Sequence, residues 1–322
     1  MIATGVFFFP FPSAWWLPPL AFSLELLRPG FRRLPHPVQG IARLADALEA
    51  LLRPRGPALI MGAAAAGAVV FSAWFGVVLC LNIPYAGLLC AVYFSWAGLA
   101  LEALLREGRL ALDLTEQGSL AEARTAVQML VTRETSAMER TDLRRTLAET
   151  LSENLNDAFM APFFWLLLAG PAGLWAYKAV STLDSLWGYK TERWLLFGRA
   201  AARADDCLAF FPARLTAFFL YLTAPLLKTV FIWPGWRQVA REAGRMASPN
   251  AGWPMAAAAW LHGAGMGGPA VYHGLPVRKP LIGPQGRAWE QEDVAALIRH
   301  LRLAGIAGAF LLWICALLAG WN

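Results

Sequence analysis

The chain has 322 residues, of which 57% are apolar and 16% charged, with a net charge of +6. A soluble domain carries about 25% charged residues, so this composition, with a mean hydropathy of +0.46, excludes an ordinary soluble enzyme. It points to an integral membrane protein that also has sizeable polar segments. The small positive excess reads as the basic bias of cytoplasmic loops, and no nucleic-acid-binding motif argues otherwise.

A membrane span needs about 20 mostly apolar residues. Residues 5–27 qualify loosely, with Glu25 their single charge and several prolines. The six arginines of 28–56 follow, with an amphipathic helix expected at 37–52. Residues 57–81 qualify with no charge at all, and 84–105 follow the two-residue turn Asn82-Ile83. Residues 106–157 hold seven arginines. In that region Ser119 and Glu122 form a capping box for a helix to about residue 132, and a second helix is expected from Thr141 to Asp157. Residues 158–177 are apolar but broken by Gly170-Pro171, and 208–233 contain Pro212, Arg214, Pro225 and Lys228. Polar regions at 178–207 and 234–302 separate these from a last span at 303–321.

The expectation is an all-α, polytopic membrane protein forming one membrane-embedded domain over 1–322, with amphipathic cytoplasmic helices. The positive-inside rule places 28–56 and 106–157 in the cytoplasm and both chain ends outside. Because 178–207 and 234–302 are basic too, re-entrant hairpins are expected at 158–177 and 208–233 in preference to true spans. Cys80, Cys90, Cys207 and Cys315 have no CxxC or metal spacing, so neither a structural disulfide nor a zinc site is expected. The apolar N-terminus lacks a basic leading segment, so a cleaved signal peptide is not expected.

Polar side chains concentrate in a few stretches. "ETLSENLND" (149–157) sets Glu149, Glu153 and Asp157 four residues apart, on one helical face, flanked by Asn154 and Asn156. Such a row can hold Mg²⁺, which takes oxygen ligands; it can equally be a solvated face paired with Arg145. "YKAVSTLDSLWGYKTERW" (177–194) offers Lys178 and Arg193 for phosphate and Asp184 for metal, or else is an interfacial helix. Its "GYKT" is not a P-loop, because Leu183 stands where the first glycine belongs. "RAAARADD" (199–206) places Arg199 and Arg203 on one face, followed by Asp205 and Asp206. Arg214 lies in an apolar run, where a charge is costly and by default functional or paired. His36 sits between two prolines, and Asn250 in the turn "PNAGWP". No Ser-His-Asp set, Rossmann glycine pattern or zinc motif is present.

In order along the chain, "LPHPV", "SENLNDAFMAPFFW", "YKAVSTLDSLWGY", "FGRAAARADD", "PARLTA", "SPNAGWPMAA" and "GGP" resemble the adenosylcobinamide-phosphate synthases of cobalamin biosynthesis (the CobD/CbiB type). The resemblance runs from about residue 20 to residue 310. This chain departs from the family pattern in "RPGFRRLPHPV", which lacks the usual acidic residue, and in Glu134, Asn156 and Ser181, each a polar replacement.

The resemblance implies a multi-pass inner-membrane enzyme with its active site facing the cytoplasm. It implies an ATP- and Mg²⁺-dependent ligase that joins adenosylcobyric acid to (R)-1-aminopropan-2-ol or its O-phosphate. Membrane lipid and other late pathway enzymes are the implied partners, and nucleic acid is not. Laid on these motifs, Glu153, Asp157 and Asp184 are expected to bind Mg²⁺–ATP, with Lys178 as a further catalytic group. Lys178, Arg193, Arg203 and Arg214 are expected on phosphates, with Asp205 beside them. Asn154, Asn250 and His36 are expected to position the substrates. A corrinoid transporter and a non-catalytic scaffold are the rival readings. Uncharged spans at 57–81 and 303–321 weigh against the first, and dense ionisable residues against the second.

Overall fold

The computed structural model describes residues 14–27, 36–227, 232–272 and 274–320. The expected span at 5–27 therefore lies partly outside the described residues, as do Lys228 and His273. Helices dominate, and the described residues fall into two compact units whose segments alternate along the chain. One unit comprises residues 1–100, 161–209 and 309–322; the other comprises 101–160 and 210–308.

The first unit contains α1 (Leu17–Leu27), α2 (Pro37–Leu52), α3 (Ala58–Leu81), α4 (Gly87–Ala97), α8 (Ala161–Trp187) and α9 (Arg199–Leu208). α3 has 24 residues and no charge, yet only 17% of its most apolar window is buried within the protein. Ile60, Phe71 and Leu79 all point outward. A helix apolar on every side is stable only where its surroundings are apolar too, which is the signature of a lipid-facing span. α3 packs on α8 and α9. The approach is close: a Cβ on Gly62 would stand 1.9 Å from the Phe197 carbonyl oxygen, so only glycine fits there. Trp175 and Trp187 fill this core, and the Trp175 indole N–H donates to the Phe94 carbonyl at 2.8 Å.

The second unit contains α5 (Leu101–Gln117), α6 (Leu120–Gln128), α7 (Arg140–Leu155), α10 (Phe210–Thr223), α11 (Trp236–Ala243) and α12 (Gly252–His262). It also holds an antiparallel hairpin, β1 (Met266–Tyr272) and β2 (Leu275–Ile282), and the first part of α13 (Gln291–Ala319). The capping box is present: the Ser119 hydroxyl accepts from the Glu122 N–H, and the Ser119 N–H donates to the Glu122 carboxylate at 2.8 Å. α12 stops at Gly263, whose φ of 69° is the left-handed conformation that ends helices. Behind it, His300 Nε2 lies 2.9 Å from the Leu220 carbonyl, so that nitrogen must carry the hydrogen. His300 Nδ1 is then an acceptor, and the His262 Nε2 facing it at 3.0 Å is the donor. The His300 ring is thereby fixed as a neutral tautomer, and His262 carries a hydrogen on Nε2.

The all-α expectation holds except for the small hairpin. Among the described residues, four helices are long and apolar enough to cross a membrane: Ala58–Leu81, Gly87–Gln117, Arg140–Trp187 and Gln291–Ala319. There are five if Arg199–Leu208 and Phe210–Leu226 together make one span. The expected boundary between an apolar hairpin at 158–177 and a polar region from 178 is not present. α8 breaks at Ala169-Gly170, resumes at Pro171 and continues to Trp187, so Lys178 and Asp184 lie on it. Proline accounts for the break, because its ring denies the helix one hydrogen bond and clashes with the preceding turn.

Candidate functional site

Most of the predicted polar residues cluster inside one unit or the other. In the second unit the opening row does not run as a plain helical face. α7 ends at Leu155, and Asn156–Met160 form a π-turn. The wider turn takes Asp157 out of the four-residue register with Glu149 and Glu153. Such π-turns are frequent at functional sites. Asn156 spans the irregularity: its amide donates to Asp157 at 2.7 Å, and its oxygen faces the Thr216 hydroxyl at 3.2 Å.

Glu149 is neither solvated nor open to a metal. It is fully buried, pairs with Arg133 at 2.5 Å and accepts the Gly267 N–H at 2.8 Å. Burial works against the Arg133 charge, but the Glu149 carboxylate together with Tyr272 and Glu153 outweighs it and raises the Arg133 pKa. Next to Arg133, the Glu134 N–H donates to the Val271 carbonyl at 2.8 Å, and the Glu134 carboxylate accepts the Gly274 N–H at 2.6 Å. Residues 133–134 thus fasten the hairpin to α7. Glu153, one turn beyond Glu149, has Lys279, Arg133 and Glu149 as its charged neighbours. Asn154 turns back along its own helix, donating to the Thr150 carbonyl at 2.9 Å.

Arg214 and Asn250, predicted separately, meet in this unit. Arg214 donates to the Asn250 side-chain oxygen at 2.8 Å and to the Phe210 carbonyl at 2.8 Å. Its guanidinium lies over Phe210 at 3.6 Å and Trp253 at 4.8 Å. Stacked on two rings and bonded to three oxygens, the third being the Pro249 carbonyl at 3.4 Å, Arg214 holds the "SPN" turn. This is the paired state that a charge in an apolar run demands.

In the first unit His36 caps α2: its Nδ1 accepts the Val38 N–H at 3.4 Å while Nε2 donates to the Ala97 carbonyl at 2.9 Å. Burial lowers its pKa, and the Lys178 charge adds to that, so the ring is a neutral clamp. Arg193 bonds both Glu49 oxygens, at 3.1 and 3.2 Å, and stacks on Trp194. Arg53 shares that carboxylate and also lies over Trp194 and Phe197. Asp184 folds over Gly188, where a Cβ would come within 2.3 Å of its Oδ1. Arg203 and Lys190 are the cations facing Asp206, on the helix that also carries Asp205.

Among the described residues, no group of three or more His, Cys, Asp or Glu side chains could hold a metal ion. Of the expected metal ligands, Glu153 and Asp157 lie in the second unit and Asp184 in the first. Sequence reasoning also passed over Arg133, Lys279 and the hairpin itself. The available signal was a pair of short β-prone runs, 270–272 and 275–277, separated by a turn with a glycine at 274.

The family model for CobD/CbiB proteins matches residues 19–301. The chain belongs to this family. Within it, a "Cobalamin biosynthesis protein CobD" of Geobacter metallireducens is 38% identical over 270 residues, covering 82% of this chain and 84% of that protein. A protein of the same name from Pelobacter propionicus is 37% identical over 314 residues, covering 94% and 95%. A "Cobalamin biosynthesis protein CbiB" of Salmonella choleraesuis is 34% identical over 297 residues, covering 88% and 92%. No solved structure matches. Membership places this multi-span CobD/CbiB protein in cobalamin biosynthesis. The motifs that mark the resemblance coincide with the two polar groups just described, around the π-turn and along α8–α9.

Proposed function

We infer that this protein is the ATP-dependent ligase that joins adenosylcobyric acid to (R)-1-aminopropan-2-ol or its O-phosphate. It would act at the bacterial inner membrane with its active site facing the cytoplasm. The observation that carries the reading is the family match over 19–301, together with relatives named for cobalamin biosynthesis along almost their full length.

A carboxylate does not condense with an amine in neutral water. Transfer of the ATP γ-phosphoryl group to the corrinoid carboxylate makes an acyl phosphate and ADP. The amine then attacks the acyl carbon, phosphate leaves with the bonding pair, and a base takes the amine proton. Mg²⁺ would enter with the nucleotide as part of the co-substrate, held mainly by phosphate oxygens, since the described residues offer no group of three or more metal-binding side chains. On this reading Glu153 and Asp157 meet the Mg²⁺-bound nucleotide or take the proton. Lys178 and Arg203 supply cationic contacts, with Asp184 and Asp205 fixing their surroundings. Arg193, Arg214, Asn154, Asn250 and His36 act as positioning residues, given the partners they already hold.

The test is purified protein in detergent with adenosylcobyric acid, Mg²⁺–ATP and each amine, the corrinoid product being identified by mass. Formation of the amide with release of ADP is expected. Asp157→Ala or Asp184→Ala should abolish ligation while leaving membrane insertion unchanged. Full activity in either variant removes that residue, and no amide with either amine removes the reading.

A further inference from the structure

In the second unit, a cavity of about 250 Å³ lies between the first turn of α7 and the loop that follows the hairpin. Asp142, Arg145, Gly265, Gly267, Arg287 and Trp289 are among the residues lining it. We propose that this cavity binds a phosphoryl group, with Arg145 as its principal ligand.

Three independent features support the assignment. Arg145 donates through Nη2 to Asp142 at 2.8 Å, but its buried Nε has no hydrogen-bond partner and stands 3.8 Å from Glu149 Oε1. With Nε beyond hydrogen-bond reach of that carboxylate and one of its five N–H donors given to Asp142, the guanidinium keeps donors for the oxygens of a bound anion. Next, α7 starts at Arg140 without a side-chain cap from Glu139, and Thr141 and Asp142 of that uncapped turn line the cavity. First-turn N–H groups without a cap favour an anion. Finally, Arg287 is fixed rather than mobile. Both Asp293 oxygens hold its Nη2 at 2.6 and 2.7 Å, and the His262 carbonyl holds Nη1 at 3.1 Å. Trp289 donates to the Gly265 carbonyl at 2.9 Å and fixes the opposite wall.

The ionisable lining is two arginines and one aspartate, with Asp293 against Arg287 and Glu149 near Arg145. A planar guanidinium matches the oxygens of phosphate. The Asp142 carboxylate occupies Arg145 in the empty cavity and is the group an incoming phosphate must displace. The ligase reading offers two sources of such a group, the O-phosphate of the amine and the phosphates of the nucleotide; the site itself rests on the cavity.

Isothermal titration of the full chain in detergent tests this, with inorganic phosphate as the probe and the phosphorylated amine, the free amine and ATP as competitors. Arg145→Gln should weaken phosphate binding at least tenfold and leave adenosylcobyric acid binding unchanged. Asp142→Asn should tighten phosphate binding, an effect no merely structural role of Asp142 produces. Competition by the phosphorylated amine alone identifies the amine as the source, and competition by ATP alone identifies the nucleotide. Phosphate binding equal in wild type and Arg145→Gln, or weakened by Asp142→Asn, overturns the site. Arg145-dependent phosphate binding in a protein with no ligase activity keeps the site and removes the ligase reading. Ligation without Arg145-dependent phosphate binding does the reverse.

Discussion

The Arg133–Glu149 pair is the most direct test of how the second unit is held together. Both side chains are nearly inaccessible, at 6% and 0% exposure, and lie 2.5 Å apart. Glu149→Gln keeps an oxygen for the Gly267 N–H but leaves the Arg133 charge buried without its counter-ion. Removing one partner of a buried pair costs about 3–5 kcal/mol. For a body of this size that corresponds to a fall of roughly 10 °C in melting temperature. Arg133→Met alone strands the carboxylate and should cost about as much. The double variant Arg133→Met/Glu149→Gln removes both charges, retains the acceptor for Gly267 and should recover most of the loss. Thermal unfolding in one detergent, followed by tryptophan fluorescence, reads all four proteins. If the two single losses add in the double variant, the pair is not coupled and the hairpin is not fastened through it.

Three further outcomes follow from local geometry. Burial, and after it the electrostatic influence of the adjoining His300 ring and of the Arg287 and Arg299 charges, lowers the His262 pKa below its ordinary value of 6.5. The unfolded chain therefore takes up a proton before the folded one does. The contribution of neutral His262 is full above pH 6.5 and is lost as pH falls below it, by up to about 1.4 kcal/mol per pH unit. Melting temperatures measured between pH 7.5 and 5.5 should decline in the acidic half, and His262→Gln should flatten part of that slope. Gly62→Ala puts a methyl group 1.9 Å from the Phe197 carbonyl oxygen; it should lower the yield of folded protein in a detergent size-exclusion profile, while Gly67→Ala, with nothing within 4 Å, should not. Arg214→Lys keeps the charge but loses the flat surface stacked on Phe210 and Trp253. Trypsin should then cut after the exposed Arg245 about tenfold faster, as expected for roughly 1–2 kcal/mol lost from the turn.

What the sequence disclosed and what it concealed divide along a physical line. Helices whose stability comes from composition or local chemistry were legible: the charge-free α3, the capping box at Ser119 and the amphipathic α2 behind Pro37. Pairings between residues far apart in the chain were not. Arg133 and Glu149 are separated by 16 positions, and Glu149 and Gly267 by 118. No periodicity reports such distances. The row of carboxylates at 149–157 shows the consequence. Spacing alone gave three equivalent ligands on one face, whereas the π-turn and the hairpin give them three different environments: Glu149 buried and paired, Glu153 among Lys279 and Arg133, and Asp157 beside Asn156. The environment assigns the work. Glu149 is fully buried and already holds Arg133 and the Gly267 N–H, which leaves Glu153 and Asp157 as the carboxylates proposed for chemistry at this face. The arginine most worth replacing is Arg145, whose buried Nε keeps an unused hydrogen, in preference to Arg214 or Arg193, which are already bonded and stacked.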